Sequence, residues 1–188
     1  MVDFVLGLDE KLLLLINSLN SPWLDSVMFF LTDGKVWLPL FIITIAFILI
    51  KFKSKGLFML VLIALVITLG DQISSSILKP LVGRLRPSHE PLLQGLLHIV
   101  NNYRGGLYSF VSSHATNSFA VATILWLLIG KKYKWIGLFF AWATVFSFTR
   151  VYLGVHYPGD ILAGALLGSL IAIGVYKVSK KYIPKLLP

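Results

Sequence analysis

From Val36 to Ile50 the chain carries no charged side chain and a single hydroxyl, that of Thr44. Further apolar runs cover Leu57 to Leu78, Ala115 to Ile129, Trp135 to Val151 and Pro158 to Lys177. These runs constrain the fold more than any other feature. Each approaches the ~20 apolar residues an α-helix needs to cross a hydrocarbon core about 30 Å thick. In lipid every backbone amide must be satisfied within its own segment, so runs of this length predict helices. The expectation is an all-α, polytopic membrane helix bundle of about five transmembrane helices, forming one domain over residues 1–188. Composition agrees: 13% of residues are charged, against about 25% in soluble domains. Cys is absent, which excludes a disulfide framework and a thiolate metal site.

A net charge of +9 invites a nucleic-acid reading, but the placement of the charges argues for no nucleic-acid partner. Lys51, Lys53 and Lys55 form one cluster, Lys131, Lys132 and Lys134 a second, and Lys177, Lys180, Lys181 and Lys185 a third; no acidic residue accompanies them. Lys-rich short loops stay in the cytoplasm. The three clusters therefore mark one face of the membrane, and alternation of the spans puts the remaining connections on the other.

Residues 4–31 are broken by Asp9, Glu10, Lys11, Asn17, Asn20, Pro22 and Asp25. Phe4, Leu8, Leu12, Leu15 and Leu19 recur at helical spacing, giving an apolar stripe over a polar side. We read residues 1–33 as interfacial helices on the non-cytoplasmic side, the second running from about Trp23 to Leu31; a first span made of 4–31 is the alternative. The N-terminus lacks a basic n-region and does not resemble a cleaved signal peptide. Residues 79–113 form the one long extracytoplasmic loop, and long loops without their own periodicity are usually functional or disordered.

Thr149 to Gly164 places Arg150, His156 and Asp160 inside otherwise apolar sequence. Ionisable groups at membrane depth cost several kcal/mol unless they face a bundle interior or a wet cavity. Pro158 suits a first helical turn, which places His156 just before a helix and Asp160 within its first turn. A carboxylate there can take the imidazole Nδ1–H and leave Nε2 as nucleophile or base. A structural Arg–Asp pair beside an interfacial histidine is the plainer alternative. On the same face lie Lys79, Arg86, Ser112, Ser113 and His114; a hydroxyl there can cap a helix start, whose free amides also suit an anion. Asp71 is read first as an interhelical hydrogen-bonding group, with support of the cationic site as the other reading. Arg84 and Arg104 are solvated cations or contacts to a second phosphate or head group. His89 and His98 are loop histidines rather than metal ligands.

Lys79 with Arg86-Pro87 matches K-x6-R-P, Ser112-Ser113-His114 falls at a P-S-G-H position, and Arg150, His156 and Asp160 match S-R-x5-H-x3-D. With these motifs the chain resembles the type-2 phosphatidic acid phosphatase family, related to bacterial non-specific acid phosphatases and vanadium haloperoxidases. The resemblance implies a membrane lipid phosphatase in which His156 attacks phosphorus, Asp160 orients it and His114 protonates the leaving oxygen. Lys79, Arg86 and Arg150, with Ser112 and the amides of Ser113 and His114, hold the phosphate. No metal and no cofactor are implied. Val111 and Ser113 depart from the motif's Pro and Gly, and Thr149 from its Ser. The expected substrate is a lipid phosphate or diphosphate, an undecaprenyl diphosphate type first, with phosphatidylglycerophosphate, phosphatidic acid and lipid A phosphate open. The expected location is the bacterial inner membrane, with the site on the extracytoplasmic side. A lipid-to-lipid phosphotransferase and an anion transporter are the competing readings.

Overall fold

The computed structural model describes residues 2–188, with side chains from residue 7 onward. Among these residues the regular structure is all helical, without a named strand, and residues 83–112 form a long loop with short 3-10 turns. The helices are α1 (Val2–Asn17), α2 (Pro22–Thr32), α3 (Leu38–Phe52, entered by a 3-10 turn at Gly34–Trp37), α4 (Ser54–Val82), α5 (Ser113–Gly130), α6 (Leu138–Tyr152) and α7 (Pro158–Tyr182). Among the described residues four segments, Gly34–Phe52, Ser54–Val82, Ser113–Gly130 and Pro158–Tyr182, are long and apolar enough to cross a membrane. The fifth expected span, α6, is not among them. Its last three turns carry Thr144, Ser147, Thr149 and Arg150, and of these Ser147, Thr149 and Arg150 are buried against protein.

The core follows from helices whose apolar surface has two destinations. Ile48, Met59, Leu125, Phe139 and Trp142 pack between α3, α4, α5 and α6, while Leu62, Val66, Ile124 and Ala172 join α4, α5 and α7. The opposite flank of α7, with Leu162, Leu166 and Leu170, is exposed, as a lipid-facing surface requires. The α5–α7 pair packs most extensively because α7 presents glycine there. A Cβ at Gly164 would stand 2.6 Å from the Ser112 carbonyl oxygen, and one at Gly168 would run into the Thr116 carbonyl. Small residues one turn apart let two membrane helices approach backbone to backbone. That approach seats the start of α5 against the first turn of α7, where the Ser112 amide donates to the Asp160 carbonyl at 3.1 Å.

The three lysine clusters gather at the other end. Lys55 Nζ donates to the Leu187 carbonyl at 2.8 Å, bringing the C-terminal tail to the α3–α4 turn. Tyr133 packs edge-on against Phe47 and Phe52, which adds the α5–α6 turn.

Helix α1 uses its two sides differently from a helix on a soluble protein. Leu8, Leu12, Leu15 and Leu19 are exposed, Leu15 by 61%, whereas Asp9, Leu13 and Asn17 are buried. The Phe4 side chain of that stripe lies outside the described residues. Polar groups turn inward because lipid or headgroup surroundings accept leucine readily and offer a carboxylate little. Asn17 spends its whole amide on protein, donating to the His98 and Tyr152 carbonyls and accepting the His98 amide. Helix α2 starts with Ser21 accepting from the Leu24 amide and Pro22 in the first turn. Its extent agrees with the expected second helix.

Helix α4 continues past Leu78 to Val82, four residues into the stretch expected to be loop. Gln72–Leu78 is wound as π-helix. Pro80 lacks an amide hydrogen and crowds the carbonyl four residues earlier, and wider turns just ahead of it relieve that conflict. Gly83, in the left-handed region at φ +64°, then ends the helix. Lys79 therefore stands on a helix, and the true loop starts four residues later than the sequence suggests.

Candidate active site

The site grows from the tight turn between α6 and α7. Gly154 has φ +67°, a conformation that favours glycine, and its turn lets the Val155 and His156 amides both donate to the Arg150 carbonyl. Six residues of separation thereby become one cluster. Pro158 opens α7, and Asp160 falls at its third position, where a carboxylate meets free amides. Asp160 Oδ2 accepts the Tyr157 amide at 3.0 Å and His156 Nδ1 at 3.2 Å. The imidazole is thus tied from the Nδ1 side, and the lone pair sits on Nε2. Arg86 Nη1 donates to that Nε2 and to the Val155 carbonyl, each at 3.0 Å. His156 is 1% exposed and Asp160 fully buried. Burial first, then the charges of Arg86 and Arg150, hold the imidazole well below its ordinary 6.5, so it is neutral at physiological pH.

Arg150 ends α6. Its guanidinium donates to Thr32 Oγ1 at 2.7 Å and to the Tyr103 hydroxyl at 2.8 Å, so α2 and the long loop both steady it. Burial, followed by repulsion from Arg150, brings Arg86 down to about 10; it remains charged. Gly105 lets Arg86 lie flat: its φ is +67°, and a Cβ there would come within 3.0 Å of the guanidinium.

His114 lies in the first turn of α5, its ring stacked on Phe146 at 5.1 Å, with Phe146 stacked in turn on Trp142. His156, Arg150, Arg86 and Lys79 all stand close enough to act on it electrostatically. Ser112 occupies the N-cap position of α5, yet its hydroxyl caps no amide. That corrects the expectation of a capping serine. The Ser112 amide is held by the Asp160 carbonyl on α7. Ser112 Oγ, Arg86 Nε and Arg150 Nε are buried without a hydrogen-bond partner among the described residues. Buried donors left unpaired cost about 1–3 kcal/mol each. Ser112 stands at the N-terminus of α5, Arg150 in the last turn of α6 and Arg86 in the long loop; donors of this kind can be satisfied by an oxygen-rich anion.

Ser113 is used through its side chain. Its hydroxyl receives Lys79 Nζ and Ser74 Oγ and bonds Ser75 Oγ. Its backbone is ordinary α-helix, so replacing the motif's Gly costs no unusual conformation. Thr149 keeps the hydroxyl expected at that position, bonding Thr32.

Arg84 is neither a solvated cation nor a free head-group contact. It bonds Asp160 Oδ1 at 3.0 Å and Asp9 Oδ2 at 2.8 Å, with its guanidinium 3.6 Å above the centre of the Tyr157 ring. Asp9 also accepts the Gly159 amide at 2.7 Å. Thus α1 reaches the α6–α7 turn, a link that sequence reasoning missed along with Thr32 and Tyr103. The signal available for Asp9 was a carboxylate on an otherwise leucine-rich helix. His98 pairs with Asp25 at 2.7 Å, and His89 lies beside the Gly105 carbonyl. Among the described residues no group of His, Asp and Glu has metal-holding geometry. Arg104 donates to the Ser88 carbonyl.

The model of the PAP2 superfamily matches residues 59–184. A lipid A 4'-phosphatase from Bacteroides thetaiotaomicron is 41% identical over 189 residues, covering 99% of this chain and 83% of that one. Another lipid A 4'-phosphatase, from Porphyromonas gingivalis, is 33% identical, covering 94% and 75%. An undecaprenyl-diphosphatase from Sulfolobus acidocaldarius is 33% identical, covering 89% and 76%. Among solved structures, a transmembrane PAP2-type phosphatidylglycerolphosphate phosphatase from Bacillus subtilis superposes with a TM-score of 0.68 at 27% identity, covering 95% of this chain and 87% of that one. Aquifex aeolicus LpxE gives 0.65 at 28% identity, covering 90% and 95%.

Proposed function

The chain belongs to the PAP2 superfamily, and from that premise we propose that it is a membrane phosphatase that removes a monoester phosphate from a multi-acyl glycolipid of the lipid A type through a phosphohistidine intermediate. The observation that carries this reading is the set of unpaired buried donors, Arg86 Nε, Arg150 Nε and Ser112 Oγ, assembled around an imidazole whose Nδ1 is held by Asp160.

The reaction runs as two in-line displacements. An incoming phosphate draws Arg86 Nη1 away from His156 Nε2, and the freed lone pair attacks phosphorus. The P–O bond to the lipid breaks as the N–P bond forms. With the substrate's negative charge among three cations, His114 is placed to hold a proton and give it to the departing oxygen. Water then attacks phosphorus, its proton passes to His114, and the N–P bond breaks to release phosphate and neutral His156. Lys79, Arg86 and Arg150 balance the charge on the equatorial oxygens, and the amides of Ser113 and His114 add donors. Phosphoryl transfer needs mostly this positioning and charge stabilisation. The protein's own cations supply it, so the reaction proceeds without a divalent metal.

The preference for a monoester rests on Arg84. A diphosphate brings a second anionic group, and Arg84, the further cation beside the α6–α7 turn, is already shared by Asp160 and Asp9. Two relatives named lipid A 4'-phosphatase point the same way, which moves the reading from undecaprenyl diphosphate to a lipid A phosphate. Lysine clusters at the opposite end support a site on the extracytoplasmic side of the inner membrane. The test is phosphate release by purified protein, with EDTA present, from lipid A and from undecaprenyl diphosphate. Faster release from lipid A supports the proposal. Release from the diphosphate alone overturns the substrate, loss of activity in EDTA overturns the metal-free chemistry, and no release from either overturns the enzyme reading.

A further inference from the structure

Asp71 is a carboxylate inside the second membrane span, and it is not part of the phosphate cradle. Its surroundings give it a task. Ser75 Oγ donates to Asp71 Oδ1 at 3.1 Å. Ser75 Oγ and Ser113 Oγ are 2.8 Å apart, with either able to donate. Lys79 Nζ donates to Ser113 Oγ, as does Ser74 Oγ at 2.9 Å. A hydroxyl has one proton to give and two lone pairs to receive. The Ser74 proton has a second, longer acceptor in the Asp71 carbonyl at 3.4 Å, but the Ser75 proton is spent on the Asp71 carboxylate, so between Ser113 and Ser75 it is Ser113 that donates. All directions in the chain are then fixed: Lys79 to Ser113, Ser113 to Ser75, Ser75 to the carboxylate.

We propose that Asp71, Ser75 and Ser113 are positioning residues that hold the Lys79 ammonium at the phosphate site through this one-directional hydrogen-bond relay. The π-helical stretch Gln72–Leu78 is what permits it. In an α-helix Ser74 and Ser75 are separated by about 100° around the axis; the wider turn lets both hydroxyls reach one oxygen on α5. Lys79 has a flexible four-carbon stem, and a point charge on such a stem is placed well only if something anchors it. The carboxylate supplies counter-charge at a distance, leaving two ammonium hydrogens for substrate. Serine in place of the motif's glycine supplies the hydroxyl that completes the path. The proposal rests on the phosphatase reading, since it assigns Lys79 to the substrate phosphate.

The test is a double-mutant cycle on the full-length protein in detergent, with steady-state phosphate release from a lipid phosphate monoester. Ser113→Ala and Asp71→Asn are each expected to raise KM about tenfold, the order of one charge-assisted hydrogen bond, with a smaller change in kcat. Ser113→Thr, which keeps the hydroxyl, should restore most of the loss. In a Lys79→Ala background neither Ser113→Ala nor Asp71→Asn should add further loss, because the ammonium they hold is gone. Unchanged KM in both single variants, or equal losses with and without Lys79, overturns the relay. Because Asp71→Asn is in a span, its circular dichroism and thermal midpoint are compared with wild type, and Ser113→Ala alone decides if Asp71→Asn fails to fold. A wild-type protein that releases no phosphate overturns the phosphatase reading and the relay with it. An active wild type with silent relay variants overturns the relay alone.

Discussion

Changing Asp160 to Asn removes a charge while keeping shape, and the hydrogen bonds around the carboxylate determine the effect. Asp160 Oδ2 accepts two donors, the Tyr157 amide and His156 Nδ1, and Oδ1 accepts Arg84. An asparagine has one oxygen for these two sides. With its oxygen toward His156, its NH2 faces the Arg84 guanidinium, donor against donor. With its oxygen toward Arg84, its NH2 faces His156 Nδ1, and the imidazole must change tautomer to accept it. The proton then sits on Nε2 and the nucleophilic lone pair is lost. The second arrangement also sets the NH2 against the Tyr157 amide, but it keeps the charged Arg84 partner, whose loss costs more than that of a neutral amide. In a serine-protease triad the same exchange of tautomer costs about 10⁴ in kcat. Here the expected loss in kcat is about 10³ to 10⁴, with KM changed by less than about threefold because the phosphate-holding donors are untouched. The assay is steady-state phosphate release from a lipid phosphate monoester in detergent, beside a thermal scan of the same sample. A kcat within about tenfold of wild type would refute the claim that Asp160 sets the tautomer.

Other expected outcomes are independent of that one. His156→Ala should leave less than about a hundredth of wild-type turnover in a folded protein, since no other group is placed to attack phosphorus; circular dichroism and phosphate release check it together. The folded-state pKa of His156 lies well below 6.5, so between those values the unfolded chain binds the proton and the folded one does not. Stability therefore falls as pH drops below about 6.5, by up to about 1.4 kcal/mol per pH unit, and the thermal midpoint of wild type should decline from pH 7 to pH 5 more than that of His156→Ala. Parallel declines would contradict the assignment. Gly168→Ala forces a methyl into the Thr116 carbonyl, and overpacking of this kind costs about 1–3 kcal/mol; an unchanged thermal midpoint would mean that α5 and α7 separate easily. Arg84→Gln leaves Asp9 and Asp160 without their shared cation and should lower both the thermal midpoint and kcat, whereas a fall in phosphate affinity alone would return Arg84 to the substrate.

Much of the membrane-spanning plan was legible because lipid imposes a simple rule on length and polarity. Val36–Ile50 and the Leu162, Leu166, Leu170 flank of α7 obey it. The Pro158–Asp160 start was legible for a local reason, since proline and an N-terminal carboxylate mark a first turn. What sequence spacing could not show were contacts set by tertiary approach. Asp9 lies 75 residues from Arg84 in the chain, and only the inward turn of the polar side of α1 brings them together. Ser112 looked like a cap, but its hydroxyl caps no amide and its backbone is instead tied to α7, with the Ser112 amide on the Asp160 carbonyl and the Ser112 carbonyl against Gly164. Lys79 looked like loop because the stretch it opens is polar and broken by Pro and Gly, yet π-helical turns absorb Pro80 without ending α4. In each case a local preference is overridden by a partner far along the chain.

The central claim is that a single buried imidazole takes the phosphoryl group. Rapid-quench labelling tests it most directly: substrate carrying a radioactive phosphate is mixed with protein, the reaction is stopped in alkali, and the labelled peptide is located by mass spectrometry. An alkali-stable, acid-labile phosphate on His156 in wild type, absent from His156→Ala and accumulating in His114→Ala, is the expected result. Label on His114 or on a serine, or full turnover in a protein lacking His156, would contradict the account.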